Sequence, residues 1–194
     1  MDYELEIKSI YENTKKQFRL WSKSDDLQFR NAACSETLGR YGQDRASKLG
    51  DPFGFSILWT PIIKNPTFLF CGLCVTSFGT IQDNQKYLKG NIPSKNIYEN
   101  SNHDFGKNIE TVFKQNNSLD LFKNCVGLNL WHFQYVGSPP KNVYANEVRE
   151  YCENNTLKII NLIKPHYIIS LHNIVYPKLN KSFKNVKMLT HPTF

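Results

Sequence analysis

Apolar positions fall into two regimes along the chain. Before residue 22 they are spaced for a helix. Leu5, Ile7, Ile10, Tyr11, Phe18 and Trp21 stand among charged residues, which predicts an amphipathic helix over about 3–20 packed on the rest of the chain. From residue 67 onward the apolar positions come as short runs without alternation: TFLFCGL, CVGLNLWHF, HYIISLH and NVKML. Between the runs, FGKNIETVFKQ and YANEVREYCENNTLKIINLIK carry helical spacing, and VYPKLNKSF reads as a short helix or turn. Uninterrupted runs alternating with helices indicate strands buried on both faces. The expected fold is α/β: strands near 67–72, 124–130, 166–171 and 185–190, parallel in one sheet with helices on both faces, in three layers.

The stretch 22–66 fits neither regime. Glycines at 39, 42, 50 and 54 and prolines at 52, 61 and 66 suit a folded, irregular segment. Phe53, Phe55, Ile57, Leu58, Trp59, Ile62 and Ile63 require burial, which argues against disorder. With 194 residues the chain suffices for one domain and is marginal for two. The expectation is one domain over 1–194, with 1–66 a helical and irregular part packed on it.

Composition excludes several classes. No apolar run approaches the roughly 18 residues of a membrane span, and the first twenty residues mix acids with bases, unlike a secretory leader. Five cysteines, an odd number, do not read as a disulfide framework, so a reducing, intracellular (cytoplasmic) setting is expected. The net charge of +7 is concentrated late: after Glu153 there is no acid, while Lys158, Lys164, Lys178, Lys181, Lys184 and Lys187 follow. Such a stretch suits either a solvated lysine surface or a phosphate backbone.

Ligands of open parallel sheets gather outside the carboxyl ends of the strands. The residues there are Gly72 to Phe78, Asn129 to Phe133, His172 with Asn173, and His191 to Thr193. Asn129 closes a run that should be buried, so its amide needs partners. It either ties down a neighbouring loop or reads the edge of a base, as carboxamides do. Of Trp131 and His132, one is expected toward the cleft and one in the core, with Trp131 the core residue. His191 is either a surface residue or a donor to an anionic or carbonyl oxygen, stiffened by Pro192. The pair Cys71 and Cys74 lies at no helix start, and with Cys125 and Cys152 it matches no zinc or iron–sulfur spacing. Buried thiols explain them, with Cys74 the one able to touch a ligand. Asp44, Arg45 and Asp51 are weaker candidates, and no phosphate-binding glycine loop is present in the sequence.

The run ending in GLCVTS, the run ending at Asn129, the segment IINLIKPHYIISLHN and the closing HPT occur in an order that resembles the uracil-DNA glycosylase superfamily, over about residues 65–194. The resemblance implies a four-stranded parallel sheet between helices. It also implies flipping of a damaged or deaminated base such as uracil out of DNA and hydrolysis of its N-glycosidic bond, with no metal or cofactor. His191, Pro192 and Thr193 look like the family's terminal motif, whose histidine stabilises charge on the departing base. Asn129 takes the base-reading place, and His172 stands where a glycine is common. Gly72, Leu73 and Thr193 complete the substrate contacts, with Phe78 or Tyr87 stacking on the base. The first motif departs from the family pattern: Cys74 occupies the position that orients the attacking water in the acidic members, and Val75 replaces a proline. Lys178, Lys181, Lys184 and Lys187 are the expected phosphate contacts. The implied partner is single- or double-stranded DNA carrying a modified base, bound by a monomer away from membranes. Two alternatives stand beside it: a glycosylase-fold protein that binds nucleic acid or a nucleotide without hydrolysis, and an unrelated doubly wound enzyme acting on a small substrate.

Overall fold

The computed structural model describes residues 2–33, 55–74, 90–101, 103–133 and 145–189. Among them the elements run α1 (Tyr3–Ser22), α2 (Leu27–Ala33), β1 (Phe68–Gly72), α3 (Asp104–Gln115), α4 (Leu119–Lys123), β2 (Val126–Asn129), α5 (Asn146–Ile163), β3 (Tyr167–Ser170), α6 (Val175–Asn180) and β4 (Val186–Met188). The chain clusters into two compact units. One holds Met1–Ile57, Cys74–Asn91 and Trp131–Thr156, and the other Leu58–Leu73, Ile92–Leu130 and Leu157–Phe194. The N-terminal part is thus no unit of its own, because it clusters with two later segments.

The second unit contains the sheet. Its four strands are all parallel in the order β2-β1-β3-β4, the α/β arrangement that the apolar runs predict. The register sets the two faces. Phe68 pairs with Tyr167 and Phe70 with Gly127 and Ile169, so these share one face, while Leu69, Cys71, Ile168 and Ser170 share the other. On the first face Phe70 and Leu171 pack with Trp59 and with Phe105, Ile109 and Phe122 of α3 and α4. The chain moves outward from β1 to β2, then back past β1 to β3. With right-handed crossovers, that reversal sends the end of α5 and α6 to the opposite face and gives three layers.

The outer edge of β2 is closed by the segment before β1. Trp59 N donates to the Gly127 carbonyl at 2.8 Å, and Gly127 N donates to Thr60 Oγ1 at 2.9 Å. This is possible because Gly127 has no side chain: a Cβ there would lie 2.1 Å from the Trp59 ring.

In the first unit, α1 begins at Asp2, whose carboxylate accepts from Glu4 N at 3.0 Å, a regular N-cap. The helix buries Ile7, Ile10, Tyr11, Thr14, Phe18 and Trp21. Leu5 departs from the expected apolar set, being 62% exposed; it lies off the arc that those residues define. Phe18 packs on Phe55 with centroids 5.0 Å apart, and Trp21 meets Tyr151 edge-on at 5.3 Å. Phe55, from the irregular segment, forms a bridge with Phe133. Aromatic burial therefore orders part of that segment, as its composition requires.

Candidate functional site

The carboxyl ends of β2, β1 and β3 lie side by side in the second unit. Gly72 is in register with Asn129. Leu171 follows directly after Ser170, the partner of Cys71, so Asn129, Gly72 and Leu171 form a row on the face that carries Phe70. Two bonds hold the row: Leu130 N to the Gly72 carbonyl at 2.8 Å and Leu171 N to the Cys71 carbonyl at 2.9 Å.

The glycine is the informative member. A Cβ at Gly72 would stand 3.1 Å from Asn129 Oδ1 and 3.9 Å from the Leu128 carbonyl, with no other described atom within 4 Å. The missing side chain thus lets the carboxamide of Asn129 lie close against the β1 backbone. Asn129 is only 6% exposed, at the carboxyl end of a parallel sheet, where ligands usually bind. A carboxamide carries an acceptor and a donor in one plane. That plane matches the edge of a base.

His172 stands just beyond Leu171 and is half-buried. Its Nδ1 accepts from Ile174 N at 3.1 Å, and its carbonyl accepts from Ser170 Oγ at 3.0 Å and from Val175 N at 3.0 Å. With Nδ1 occupied as an acceptor, the neutral ring carries its proton on Nε2. Burial pushes its pKa below the ordinary histidine value. His172 therefore shapes the turn into α6 and stays neutral at pH 7. Sequence reasoning missed the part of Ser170, a buried hydroxyl that fixes this turn.

Leu73 is buried in the second unit, whereas Cys74 is half-buried and belongs to the first. His191, Thr193, Phe78, Tyr87, Asp44, Arg45 and Asp51 lie outside the described residues. The remaining described cysteines carry no reactive signature. Burial pushes the Cys125 and Cys152 thiols up to about 12 and raises Cys71 further, so all three are protonated at neutral pH. Among the described residues no group of three His, Cys, Asp or Glu side chains could hold a metal ion. None of the described helices is long and apolar enough to cross a membrane.

The four lysines expected as phosphate contacts follow the path of α6 and β4. α6 leaves the carboxyl end of β3 and must return to the amino end before a parallel β4 can begin. Lys178 lies in its last turn, Lys181 caps it, and Lys184 precedes β4. The Asn185 carbonyl accepts from Ile168 N at 3.0 Å, and Asn185 Nδ2 donates to the His166 carbonyl at 3.2 Å. Lys184 therefore sits level with the start of β3, about 16 Å of strand away from Leu171. Lys187 pairs with Ile169 in mid-sheet. Three of the four lysines thus descend away from Gly72 and Asn129, because parallel connections return to the opposite end.

His132 differs from its expected place as well. Both it and Trp131 are buried in the first unit. His132 Nε2 meets Thr156 Oγ1 at 3.0 Å, while Nδ1 has no hydrogen-bond partner among the described residues. Trp131 Nε1 donates to Glu153 at 3.1 Å.

No family model and no curated protein sequence matches the chain.

Proposed function

We propose that the chain binds a nucleobase at the carboxyl ends of β1 and β2 and hydrolyses its N-glycosidic bond in DNA, as a base-excision glycosylase for a damaged or deaminated base such as uracil. The observation that carries this reading is the buried Asn129 carboxamide beside the side-chain-free Gly72. A carboxamide carries an acceptor and a donor in one plane, the pair with which amides read the edge of a base. The all-parallel order β2-β1-β3-β4 supports it further by setting these groups where open α/β sheets take ligands.

In the reaction, water attacks C1′ of the sugar, the C1′–N bond breaks and the base leaves as an anion. Asn129 holds the base edge. The roles of His191, which favours the leaving anion, and of Cys74, at the water-orienting position, rest on the resemblance. A thiol with an ordinary pKa of about 8.5 is mostly protonated at pH 7 and is a weak base for water. The second reading, a binder without hydrolysis, draws on that substitution and on the absence of any acid between Cys74 and Asp83.

The test is an abasic-site cleavage assay on oligonucleotides containing uracil, hypoxanthine or mismatches. Wild type should cleave at least one; Asn129→Ala should lose base discrimination; His191→Ala should slow turnover roughly 100- to 1,000-fold. Cys74→Ala should change little, whereas Cys74→Asp should accelerate cleavage. If neither wild type nor Cys74→Asp cleaves while a free nucleobase still protects the fold in an Asn129-dependent way, the binder reading replaces the enzyme.

A further inference from the structure

We propose that the amino end of the sheet is a separate nucleic-acid-binding face that grips the phosphate backbone, apart from the base site at the carboxyl end. The starting point is topological. The start of β1 is joined to the end of α5 by Asn65 N to the Ile163 carbonyl at 2.8 Å. The start of β3 is joined to it by His166 N to the Pro66 carbonyl at 3.0 Å, and the start of β4 is joined to β3 through Asn185. These contacts bring Lys164, Lys181 and Lys184, all exposed, to the amino ends of neighbouring strands about 4.8 Å apart. Asn65, His166 and Ser182, also exposed, stand among them. The acids at this end, Asp120 and Glu99, belong to the β2 side, where Lys123 already meets Glu99 at 3.8 Å. The stretch that builds β3, α6 and β4 itself carries no acid, since none follows Glu153 in the chain.

Lys164 adds an independent sign. Its φ is +55°, the left-handed region, and the other described non-glycine residues there, Asn65, Asn100 and Asn117, are all asparagines. Glycine or asparagine is the ordinary occupant of that position after a helix. A lysine there accepts backbone strain of about 1 kcal/mol that glycine would avoid. The favourable field of the α5 carboxyl end explains a cation near this spot but not one on the strained residue itself.

The chemistry fits a phosphate backbone better than a lipid surface. Amide, hydroxyl and imidazole donors interleave with the lysines, the mixture that contacts phosphate and sugar. Membrane-surface binding requires a broad apolar face beside the cations, and here Tyr167, 47% exposed, is the large apolar side chain at the strand starts. The reading does not depend on the activity of the base site.

The experiment measures anisotropy of a labelled, unmodified duplex with the full chain across a salt series. The variant combines Lys164→Gln, Lys181→Gln and Lys184→Gln, and a control combines Lys8→Gln, Lys95→Gln and Lys107→Gln for the same loss of charge. The first variant should bind at least tenfold more weakly at low salt and shed about 2.7 from the log–log salt slope, 0.9 for each lost phosphate contact. The control should keep the wild-type slope. An unchanged slope in the first variant overturns the proposal. So does an equal loss in the scattered control, which would make net charge the cause. Lysine-dependent binding to phosphatidylserine vesicles with none to nucleic acid would also overturn it.

Discussion

Asn129, Gly72 and His132 each carry a polar or steric demand that a single substitution can expose. At Gly72 a methyl group would press on Asn129 Oδ1 from 3.1 Å, closer than ordinary contact, so Gly72→Ala should displace the amide. Because only the Leu128 carbonyl otherwise lies within 4 Å among the described atoms, the fold should lose only about 1 kcal/mol. Nucleobase affinity should fall at least tenfold, as read by calorimetry beside a urea melt. His132 is wholly buried, and burial pushes its pKa down to about 3 from the ordinary 6.5. The unfolded chain therefore binds a proton that the folded chain does not between those pH values. Stability is full above pH 6.5 and falls as the pH drops toward 3, at about 1.4 kcal/mol per unit for this group alone. His103 and His172, also lowered by burial, add in the same direction. His132→Gln should remove about one such increment from the slope of unfolding free energy against pH between 6 and 4.5. An unaltered slope would mean that the imidazole is protonated in the native state. The identity of these residues was plain in the sequence, yet the burial of His132 was not, since a strand-end position is compatible with either side.

Elements show a similar division. Strands β1 to β4 were legible as uninterrupted apolar runs, and helices α1, α3 and α5 because each repeats its period over enough residues. α2 and α4 went unseen, being too short to establish one; α4 is anchored by the fully buried Phe122. β2 starts later than its apolar run because Asn124 and Cys125 turn back on α4, with Asn124 N donating to the Asp120 carbonyl at 3.0 Å. Two predictions belong here. Gly127→Ala would put a methyl group 2.1 Å from the Trp59 ring. It should open the β2 edge, lowering stability by about 1–3 kcal/mol and accelerating amide exchange at Gly127. Lys164→Gly should relieve the left-handed backbone at the end of α5 and stabilise by about 1 kcal/mol. That corresponds to a melting temperature about 2–4 °C higher for a chain of this size.

For the whole molecule, the two groups of functional candidates segregate to opposite ends of one sheet. A ligand at Gly72 and Asn129 and a backbone at Lys164, Lys181 and Lys184 would occupy different surfaces, so saturating free nucleobase should leave binding of an unmodified duplex unchanged. Competition between them in a titration would show that the two surfaces are coupled. By itself the sequence determined the parallel α/β character, the four strand positions and the candidacy of Gly72, Asn129 and His172, because apolar periods and polar interruptions are local signals. Only the tertiary structure decided that Gly72 faces Asn129 across two strands, that His172 is spent on the turn into α6, and that Lys178, Lys181 and Lys184 descend toward the far end. Register and the return path of each crossover arise from packing between segments distant in the chain, and no local pattern encodes them.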